Sequence, residues 1–282
     1  MLTEHQLTHF NTFGFVPLRK LFSKEEIDNF NDEFQLKLES TLRYTGLAEE
    51  PAKYSSWSSL ESETPHSAKI HEDPRLLSIA EQLLGDDFVI RSCNCGSYVN
   101  VTPWHPDSIN FHEHTIKFPI YLQPLDDSNG ALKLIPGSHR KPFHEAVLNF
   151  GLLGFKEEAL DTEFSISDVP AYSCNMELGD VFIFDCHIWH ASWGGNTDRR
   201  MISPIYTKNP KTAKEEAMTR KQVRDNFNVR EDLAKNTYAK RQPEYPLDWL
   251  ANTNKDPRRQ HWIDYLYKWG YIESFHDVSD HS

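Results

Sequence analysis

The spacing of apolar positions predicts helices near the beginning of the chain. Residues 23–42 (SKEEIDNFNDEFQLKLESTL) place apolar side chains at helical intervals, and Ser23 followed by Glu26 forms a capping-box pattern at their start. Residues 3–12 and 73–85 show shorter helical patterns that a glycine ends in each case. The stretch FVPL, which follows the first of these helices, predicts a short strand.

Residues 43–68 interrupt this helical pattern. They are polar and rich in serine, and they contain Pro51, Pro65, Tyr54 and Trp57. Such a composition predicts a long loop, and long loops in compact domains often act as lids over a ligand site. The two aromatic residues are therefore candidate substrate contacts.

From residue 87 the pattern changes to short β-type segments that turn signals separate. The segments are DFVIRSCNCGSYVNV, TIKFPIYLQPL, GALKLIPGS, AYSCNMELGDVFIFD and RRMISPIYTK. Several short strands at this spacing predict a sandwich or a double-sheet barrel such as a jelly roll. After residue 207 the chain becomes charged and helical. It then reaches an aromatic-rich segment, HWIDYLYKWGYIESFHDV, that could pack on the core or on a second subunit.

Composition narrows the classes of partner. The 282 residues carry a formal net charge of −12, so the overall charge does not favour binding to nucleic acid or to an anionic membrane. The first residues lack the basic and apolar regions of a signal peptide, and no apolar run approaches the roughly 20 residues that span a bilayer. The four cysteines form no CxxC pair and predict reduced thiols in a cytoplasmic protein, with a metal or redox role for Cys93 and Cys95 as the alternative.

The short stretch WHPDS carries the first candidate chemistry. In an extended segment, His105 and Asp107 point to the same face, where an imidazole and a carboxylate could bind one ion. A surface turn is the alternative, because proline, aspartate and serine favour turns. A metal site needs a third ligand, and His187 and His190 both follow an apolar run that is typical of a buried strand.

Two histidines and one carboxylate form the facial triad of non-haem Fe(II) oxygenases, although catalytic zinc accepts the same set. Arg199 and Arg200 lie just beyond the two histidines, at the start of a predicted strand. A guanidinium group binds a carboxylate through two hydrogen bonds, as an oxygenase that uses 2-oxoglutarate requires for its co-substrate. A zinc hydrolase has no comparable requirement.

Five ordered blocks of the sequence resemble the phytanoyl-CoA dioxygenase family of Fe(II)/2-oxoglutarate-dependent oxygenases. The blocks are LTEHQLTHFNTFGFVPLRKLFSKEEID, WHPD, LDDSNGALKLIPGSHR, GDVFIFDCHIWHAS and RRMISPIY. A lone HxD pair is a weak signal, whereas five blocks in the family's order are specific. The resemblance implies a double-stranded β-helix, and we expect one domain over 1–282. It would comprise N-terminal helices and a lid loop over 1–86, a mainly β jelly-roll (cupin-like) core over 87–207, and a C-terminal helical extension over 208–282.

The resemblance also assigns roles to particular residues. The implied iron ligands are His105, Asp107 and His190, the last because an alanine and a serine follow it as in the family. The residues implied to bind 2-oxoglutarate are Arg199, Ser192, Asn100 and Tyr98. Arg200 remains an alternative to Arg199, because the eight-residue spacer ASWGGNTD is shorter than is usual in the family. The candidate substrate contacts are Tyr54, Trp57, His187 and Trp193.

The expected function is therefore oxidation of a small organic metabolite by O2, with Fe(II) as cofactor and 2-oxoglutarate as co-substrate that leaves as succinate and CO2. A polar or zwitterionic substrate is expected, since the aromatic residues of 43–68 could hold a quaternary ammonium group. Zinc-dependent hydrolysis on the same triad and a non-catalytic binding protein are the alternatives. We further expect no nucleic-acid or membrane partner, and a homo-oligomer formed through the C-terminal extension is an open possibility.

Overall fold

Two antiparallel sheets form the centre of the computed structural model, which describes residues 1–45, 54–98, 101–153, 166–195, 199–236 and 244–272. The strands are β1 (Phe15–Leu18), β2 (Tyr54–Ser58), β3 (Phe88–Tyr98), β4 (Thr102–His105), β5 (Thr115–Lys117), β6 (Ile120–Tyr121), β7 (Leu132–Leu134), β8 (Tyr172–Ser173), β9 (Val181–Asp185), β10 (His190–Ser192) and β11 (Arg199–Lys208). The larger sheet has the order β1-β9-β5-β11-β3-β2, with β6 also beside β11. The smaller sheet has the order β4-β10-β7-β8.

Strand β9, with the sequence VFIFD, shows why both faces of the larger sheet are apolar. Val181 and Ile183 contact the core between this sheet and the helices, whereas Phe182 and Phe184 contact the core between the two sheets. Successive side chains of a strand point to opposite faces, so a strand that is covered on both sides reads as a continuous apolar run. The larger sheet is therefore the middle layer of the molecule.

Helices cover the outer faces of both sheets. They are α1 (Glu4–Phe13), α2 (Lys24–Thr45), α3 (Pro65–Lys69), α4 (Pro74–Leu84), α5 (Lys141–Asn149), α6 (Ala213–Asn236), α7 (Leu247–Leu250) and α8 (Pro257–Trp269). Residues of α2, α4 and α8 pack on the larger sheet, and Val147 of α5 packs with Trp104 and Ala191 on the smaller one. The prediction of a mainly β jelly-roll core with flanking helices is confirmed. In the part of the chain that the structure describes, no helix is both long and apolar enough to cross a membrane.

The prediction of one long loop over 43–68 is wrong. Helix α2 continues to Thr45, the segment Tyr54–Ser58 is strand β2, and α3 begins at Pro65. Strand β2 pairs with β3 over its whole length, so a neighbouring strand supplies the backbone hydrogen bonds that the polar sequence gave no reason to expect. Residues 46–53 lie outside the described part of the chain.

The described C-terminal helices pack on the core of the same chain. The indole Nε1 of Trp262 in α8 donates a hydrogen bond to the Phe88 carbonyl oxygen at 3.0 Å, and the ring is buried. The Tyr245 hydroxyl donates to the Arg91 carbonyl oxygen at 2.7 Å. Trp262 and Tyr245 therefore have intramolecular partners, and a homo-oligomer through the extension stays a prediction.

Candidate metal centre

His105 and His190 face each other across neighbouring strands of the smaller sheet. Strands β4 and β10 are antiparallel, and their register places His105 directly opposite His190. The two imidazole rings lie with their centroids 4.3 Å apart. The pairing of two strands that are distant in sequence thus brings the two histidines together.

The carboxylate of Asp107 completes the group just beyond the end of β4. Its Oδ1 lies 3.9 Å from Nε2 of His105 and 3.9 Å from Nε2 of His190. Donor atoms with bonds of about 2.1 Å to one ion lie about 3 Å apart when the bonds are at right angles. The three side chains can therefore hold one metal ion after a small closing movement, and their ligand atoms all lie within 4.8 Å of one another.

A hydrogen bond at Nδ1 of each imidazole sets which of its two ring nitrogens carries the hydrogen. Nδ1 of His105 donates to the Pro103 carbonyl oxygen at 2.8 Å, and Nδ1 of His190 donates to the Ile188 carbonyl oxygen at 3.0 Å. A carbonyl oxygen only accepts, so Nδ1 carries the hydrogen and Nε2 of a neutral ring keeps its lone pair for a metal. Burial, reinforced by the neighbouring His105, lowers the pKa of His190 to about 3, which keeps that ring neutral.

The charge of Asp107 has its own cause. Burial works against ionisation, but the Lys117 ammonium holds the pKa of Asp107 well below its usual range. The carboxylate is therefore ionised at neutral pH. Two imidazoles with a free Nε2 and one anionic carboxylate are the donor set that a divalent metal ion of the iron or zinc type requires.

A cavity of about 140 Å³ opens over these three side chains. It is lined by Tyr98, Thr102, His105, Asp107, Lys117, Pro119, Tyr121, Leu132, Phe184, His190, Ser192, Arg199 and Met201. The cavity thus contains the predicted metal ligands, the predicted arginine and Ser192. Another cavity of about 270 Å³ shares no lining residue with it, and the described residues there form no candidate metal group.

The alternation of β11 separates Arg199 from Arg200. Arg199 lies on the same face as Met201, which contacts the core between the sheets, and its side chain lines the cavity. Arg200 lies on the face of Ile202, which contacts the helices. The cavity therefore receives Arg199 and not Arg200.

Neutral oxygen atoms surround the buried Arg199 guanidinium. Its Nη1 donates to Ser192 Oγ and to the Gly130 carbonyl oxygen at 3.3 Å, and Nη2 donates to Thr102 Oγ1 at 3.3 Å. Burial lowers the pKa of Arg199. Gly130 has a φ of +97°, and a Cβ there would lie 2.8 Å from Cδ of Arg199, so only glycine admits the arginine. The chemistry of this cradle fits a carboxylate ligand.

Of the other residues predicted to bind 2-oxoglutarate, two lie at the cavity and one falls outside the described part of the chain. Tyr98 lines the cavity and Ser192 is buried against Arg199. Asn100 lies outside the described residues. Tyr54, which was predicted to contact the substrate instead, pairs with Tyr98 through the backbone at one end of β2. Its side chain belongs to the part that the structure does not describe.

The prediction that Trp57 contacts substrate is wrong. Its ring lies in the core between the larger sheet and the helices, with its centroid 4.5 Å from that of Phe34 in α2. The side chain is 7% exposed. Trp57 therefore stabilises the attachment of β2 to α2, on the side of the sheet away from the inter-sheet core.

His187 and Trp193 also have other partners than a substrate. Nδ1 of His187 lies 2.7 Å from Asp185 Oδ1, Nε2 lies 3.2 Å from the Asn110 carbonyl oxygen, and the ring stacks on Phe111. Burial opposes its charged form, but Asp185 outweighs burial and raises the pKa of His187. Trp193 packs against Trp104 on the outer face of the smaller sheet. Neither residue lines the cavity over the triad.

Sequence reasoning missed several residues of this cavity, among them Thr102, Lys117 and Tyr121. Burial raises the pKa of Tyr121 to about 12, so its hydroxyl stays protonated. The alternation of TIK and IY could have placed Lys117 and Tyr121 on the inner face, because their neighbours Ile116 and Ile120 contact the helices. Only the sheet order shows that this face borders the metal ligands.

Comparison with protein families and known proteins agrees with this geometry. The family described as phytanoyl-CoA dioxygenase (PhyH) matches residues 10–202. The ectoine dioxygenase of Bordetella bronchiseptica is 24% identical over 220 residues, which cover 68% of this chain and 70% of that protein. The ectoine dioxygenase of Sphingopyxis alaskensis is 25% identical over 224 residues, which cover 70% and 72% of the two chains.

A solved structure shows the same fold. HygX from Streptomyces hygroscopicus, determined with nickel and 2-oxoglutarate bound, superposes with a TM-score of 0.57 at 18% sequence identity. The superposition covers 74% of this chain and 88% of that one.

Proposed function

The chain belongs to the phytanoyl-CoA dioxygenase family, and on that premise we propose that it is an Fe(II)- and 2-oxoglutarate-dependent dioxygenase that hydroxylates a small organic metabolite. The observation that carries this proposal is the content of one cavity. Two imidazoles, an ionised carboxylate and a buried guanidinium line the same space of about 140 Å³. A metal hydrolase would use the first three groups but has no need of the fourth.

His105, Asp107 and His190 would hold the iron. Their nitrogen and oxygen donors fit Fe(II), and three protein ligands leave open positions for 2-oxoglutarate and O2. When bound, iron, 2-oxoglutarate and O2 would supply the oxidation of the substrate, and 2-oxoglutarate would leave as succinate and CO2. The protein orients each imidazole through its Nδ1 hydrogen bond and keeps the carboxylate ionised.

Arg199 would bind the distal carboxylate of 2-oxoglutarate. Its guanidinium is buried in the cavity wall, where a charge-assisted pair with a carboxylate is stronger than in water. Ser192 and Thr102, which already contact the guanidinium, would supply hydroxyl groups to the same carboxylate. Tyr98 lies in the same lining and would close one side of this subsite.

The substrate would be small and polar or zwitterionic. A cavity of this size favours a small molecule, and its wall combines the Lys117 ammonium, the Tyr121 hydroxyl and the Phe184 ring. The relatives named ectoine dioxygenase act, by that name, on ectoine. The buried position of Trp57 removes the support for an aromatic cage built from residues 43–68.

The decisive experiment measures succinate. The purified protein is incubated with Fe(II), 2-oxoglutarate, ascorbate and a panel of small polar metabolites, and metal content is determined in parallel. We expect the wild-type protein to release succinate with Fe(II). Asp107→Ala should bind no iron and release no succinate. Asp185→Ala is the matched control, since Asp185 pairs with His187 and does not line the cavity.

Other results would point elsewhere. Stoichiometric zinc with no succinate on any substrate would favour a hydrolase. Failure to bind either Fe(II) or 2-oxoglutarate would favour a binding protein that retains the fold.

A further inference from the structure

Lys117 is a largely buried cation in the cavity wall, and it contacts one of the candidate metal ligands directly. It ends strand β5, where its neighbour Ile116 contacts the helices, so alternation directs Lys117 to the inter-sheet side. Its side chain is 13% exposed and lines the cavity. Its Nζ donates a hydrogen bond to Oδ2 of Asp107 at 3.0 Å and lies 5.7 Å from the centroid of the Phe184 ring.

The two oxygens of the Asp107 carboxylate have different surroundings. Oδ1 lies 3.9 Å from Nε2 of both histidines. Oδ2 accepts the hydrogen bond from Lys117. One oxygen therefore faces the place where a metal ion would lie, and the other is held by the lysine.

All three candidate ligands share this arrangement. Each imidazole is anchored at Nδ1 by the carbonyl oxygen of the residue two positions earlier in the chain. Asp107 is anchored at Oδ2 by a side chain from another strand. Partners that hold the non-ligating atom of a metal ligand fix its orientation and its donor atom.

We propose that Lys117 is a positioning residue of the metal centre, which holds Oδ2 so that Asp107 offers the metal one oxygen only. The inference rests on the proposed function, because it takes His105, Asp107 and His190 as the metal ligands. It adds to that function a residue that sets how the carboxylate coordinates.

The number of coordination positions gives this role its purpose. An octahedral ion has six positions, of which the facial triad takes three when each ligand supplies one atom. Binding of 2-oxoglutarate through two oxygens and of O2 through one would fill the other three. A carboxylate that turned both oxygens to the ion would occupy one of these positions, and Lys117 opposes that rotation.

Stability alone is a weak reason for the pair. A partly buried ion pair gains little net free energy, because solvent screening and the loss of hydration offset most of the attraction. Lys133 is a second lysine that forms an ion pair, but this pair lies away from the cavity. It is buried too and pairs with Asp127, but on the outer face of the smaller sheet, beside Trp193.

The test compares Co(II)-loaded proteins by their visible ligand-field spectrum, which reports coordination number and geometry. The variants are Lys117→Met, the conservative Lys117→Arg, and Lys133→Met as the matched control. We expect the bands of Lys117→Met to shift and weaken as Asp107 becomes free to use both oxygens. Lys117→Arg and Lys133→Met should keep the wild-type spectrum.

A crystal structure of the wild-type protein with Co(II) provides a test that needs no variant. We expect Oδ1 of Asp107 on the metal and Oδ2 on Lys117. Coordination through both oxygens with Lys117 turned away, or an unchanged Lys117→Met spectrum, would overturn the inference. If the wild type binds no Co(II), or if Asp107→Ala binds it with the same spectrum, the proposed ligand set fails instead.

Discussion

At the scale of single residues, the side of the sheet on which a side chain lies decides its chemistry. Arg199 and Arg200 are neighbours of the same type, yet Arg199 lines the cavity and Arg200 lies on the face that meets the helices. The N–H of Arg200 donates to Gln123 Oε1 at 3.1 Å. The difference follows from the alternation of strand β11 rather than from the residues themselves.

Replacement of the two arginines should therefore have unequal effects. Arg199→Met removes a charge-assisted interaction worth about 1.5–3 kcal/mol in total, so the 2-oxoglutarate concentration for half-maximal succinate release should rise about 10- to 150-fold. Arg200→Met should change it less than about threefold. Titration of each variant with 2-oxoglutarate measures this concentration. A larger rise for Arg200→Met than for Arg199→Met would exchange the roles of the two arginines.

His71 is a second residue whose surroundings determine its chemistry, and in this case they make stability depend on pH. Its ring is fully buried, and Nε2 lies 2.5 Å from the Ser59 hydroxyl oxygen. Burial lowers the pKa of His71 to about 3. Because this value lies below the ordinary one of about 6.5, the unfolded chain binds a proton that the folded protein excludes. The stabilisation is complete above pH 6.5 and is lost as the pH falls toward 3.

We predict that this loss is measurable by urea unfolding. Between pH 7.5 and pH 5.0 the wild type should lose about 2 kcal/mol more unfolding free energy than His71→Gln, since each pH unit below 6.5 costs about 1.4 kcal/mol. His5→Gln, at an exposed position, is the surface control. Equal losses in the wild type and His71→Gln would show that the buried ring takes up its proton without unfolding.

At the scale of elements, strand β2 shows how pairing overrides local composition. Its sequence, YSSWS, is rich in serine, yet β2 pairs with β3 residue by residue. Trp57 lies opposite Cys95, and both side chains are buried. The apolar side chain packs under α2, while the neighbouring strand satisfies the backbone, and these two interactions compensate for a weak propensity.

Trp57 should accordingly act on stability and not on substrate binding. Trp57→Ala should lower the free energy of unfolding by about 3–5 kcal/mol, the usual cost of removing a large buried aromatic ring. Trp57→Phe should lose less, and it should leave KM for the substrate unchanged. Urea unfolding and steady-state kinetics check the two effects, and a raised KM at unchanged stability would restore a substrate role.

At the scale of the whole molecule, the helices from both ends of the chain cover one sheet. Residues of α2 and α4 share the outer core of the larger sheet with Trp262 of α8. The Arg259 guanidinium binds the Glu72 carboxylate through two hydrogen bonds of 2.7 and 2.8 Å. We therefore propose that the chain is one domain, in which the segment after residue 207 belongs to the folding unit of the core.

A single cooperative transition is the expected consequence. Trp262→Ala should destabilise the whole protein by about 3–5 kcal/mol, with helix content and metal binding lost together on heating. Trp262→Phe should be milder, since an aromatic ring remains beside Phe88. Two separate transitions, with metal binding retained after the first, would show that the C-terminal helices form an independent unit.

The sequence alone was enough to predict those features that depend on local periodicity or on ordered motifs. The helical spacing of 23–42 predicts α2, and the continuous apolar run VFIFD indicates a strand covered on both sides. The spacing of His105 and Asp107, with the five family-like blocks, predicts the metal chemistry and the jelly-roll class. Each of these signals lies within a short segment or in the order of segments along the chain.

Only the tertiary structure decided how distant residues come to share the cavity and which further residues line it. The family-like blocks had already implied His190, and the register of β4 and β10 shows how it comes to lie opposite His105. The position of β5 between β9 and β11 brings Lys117 to Asp107. Sheet order and register arise from packing of the whole core, and a local sequence pattern carries no information about which strand becomes a neighbour.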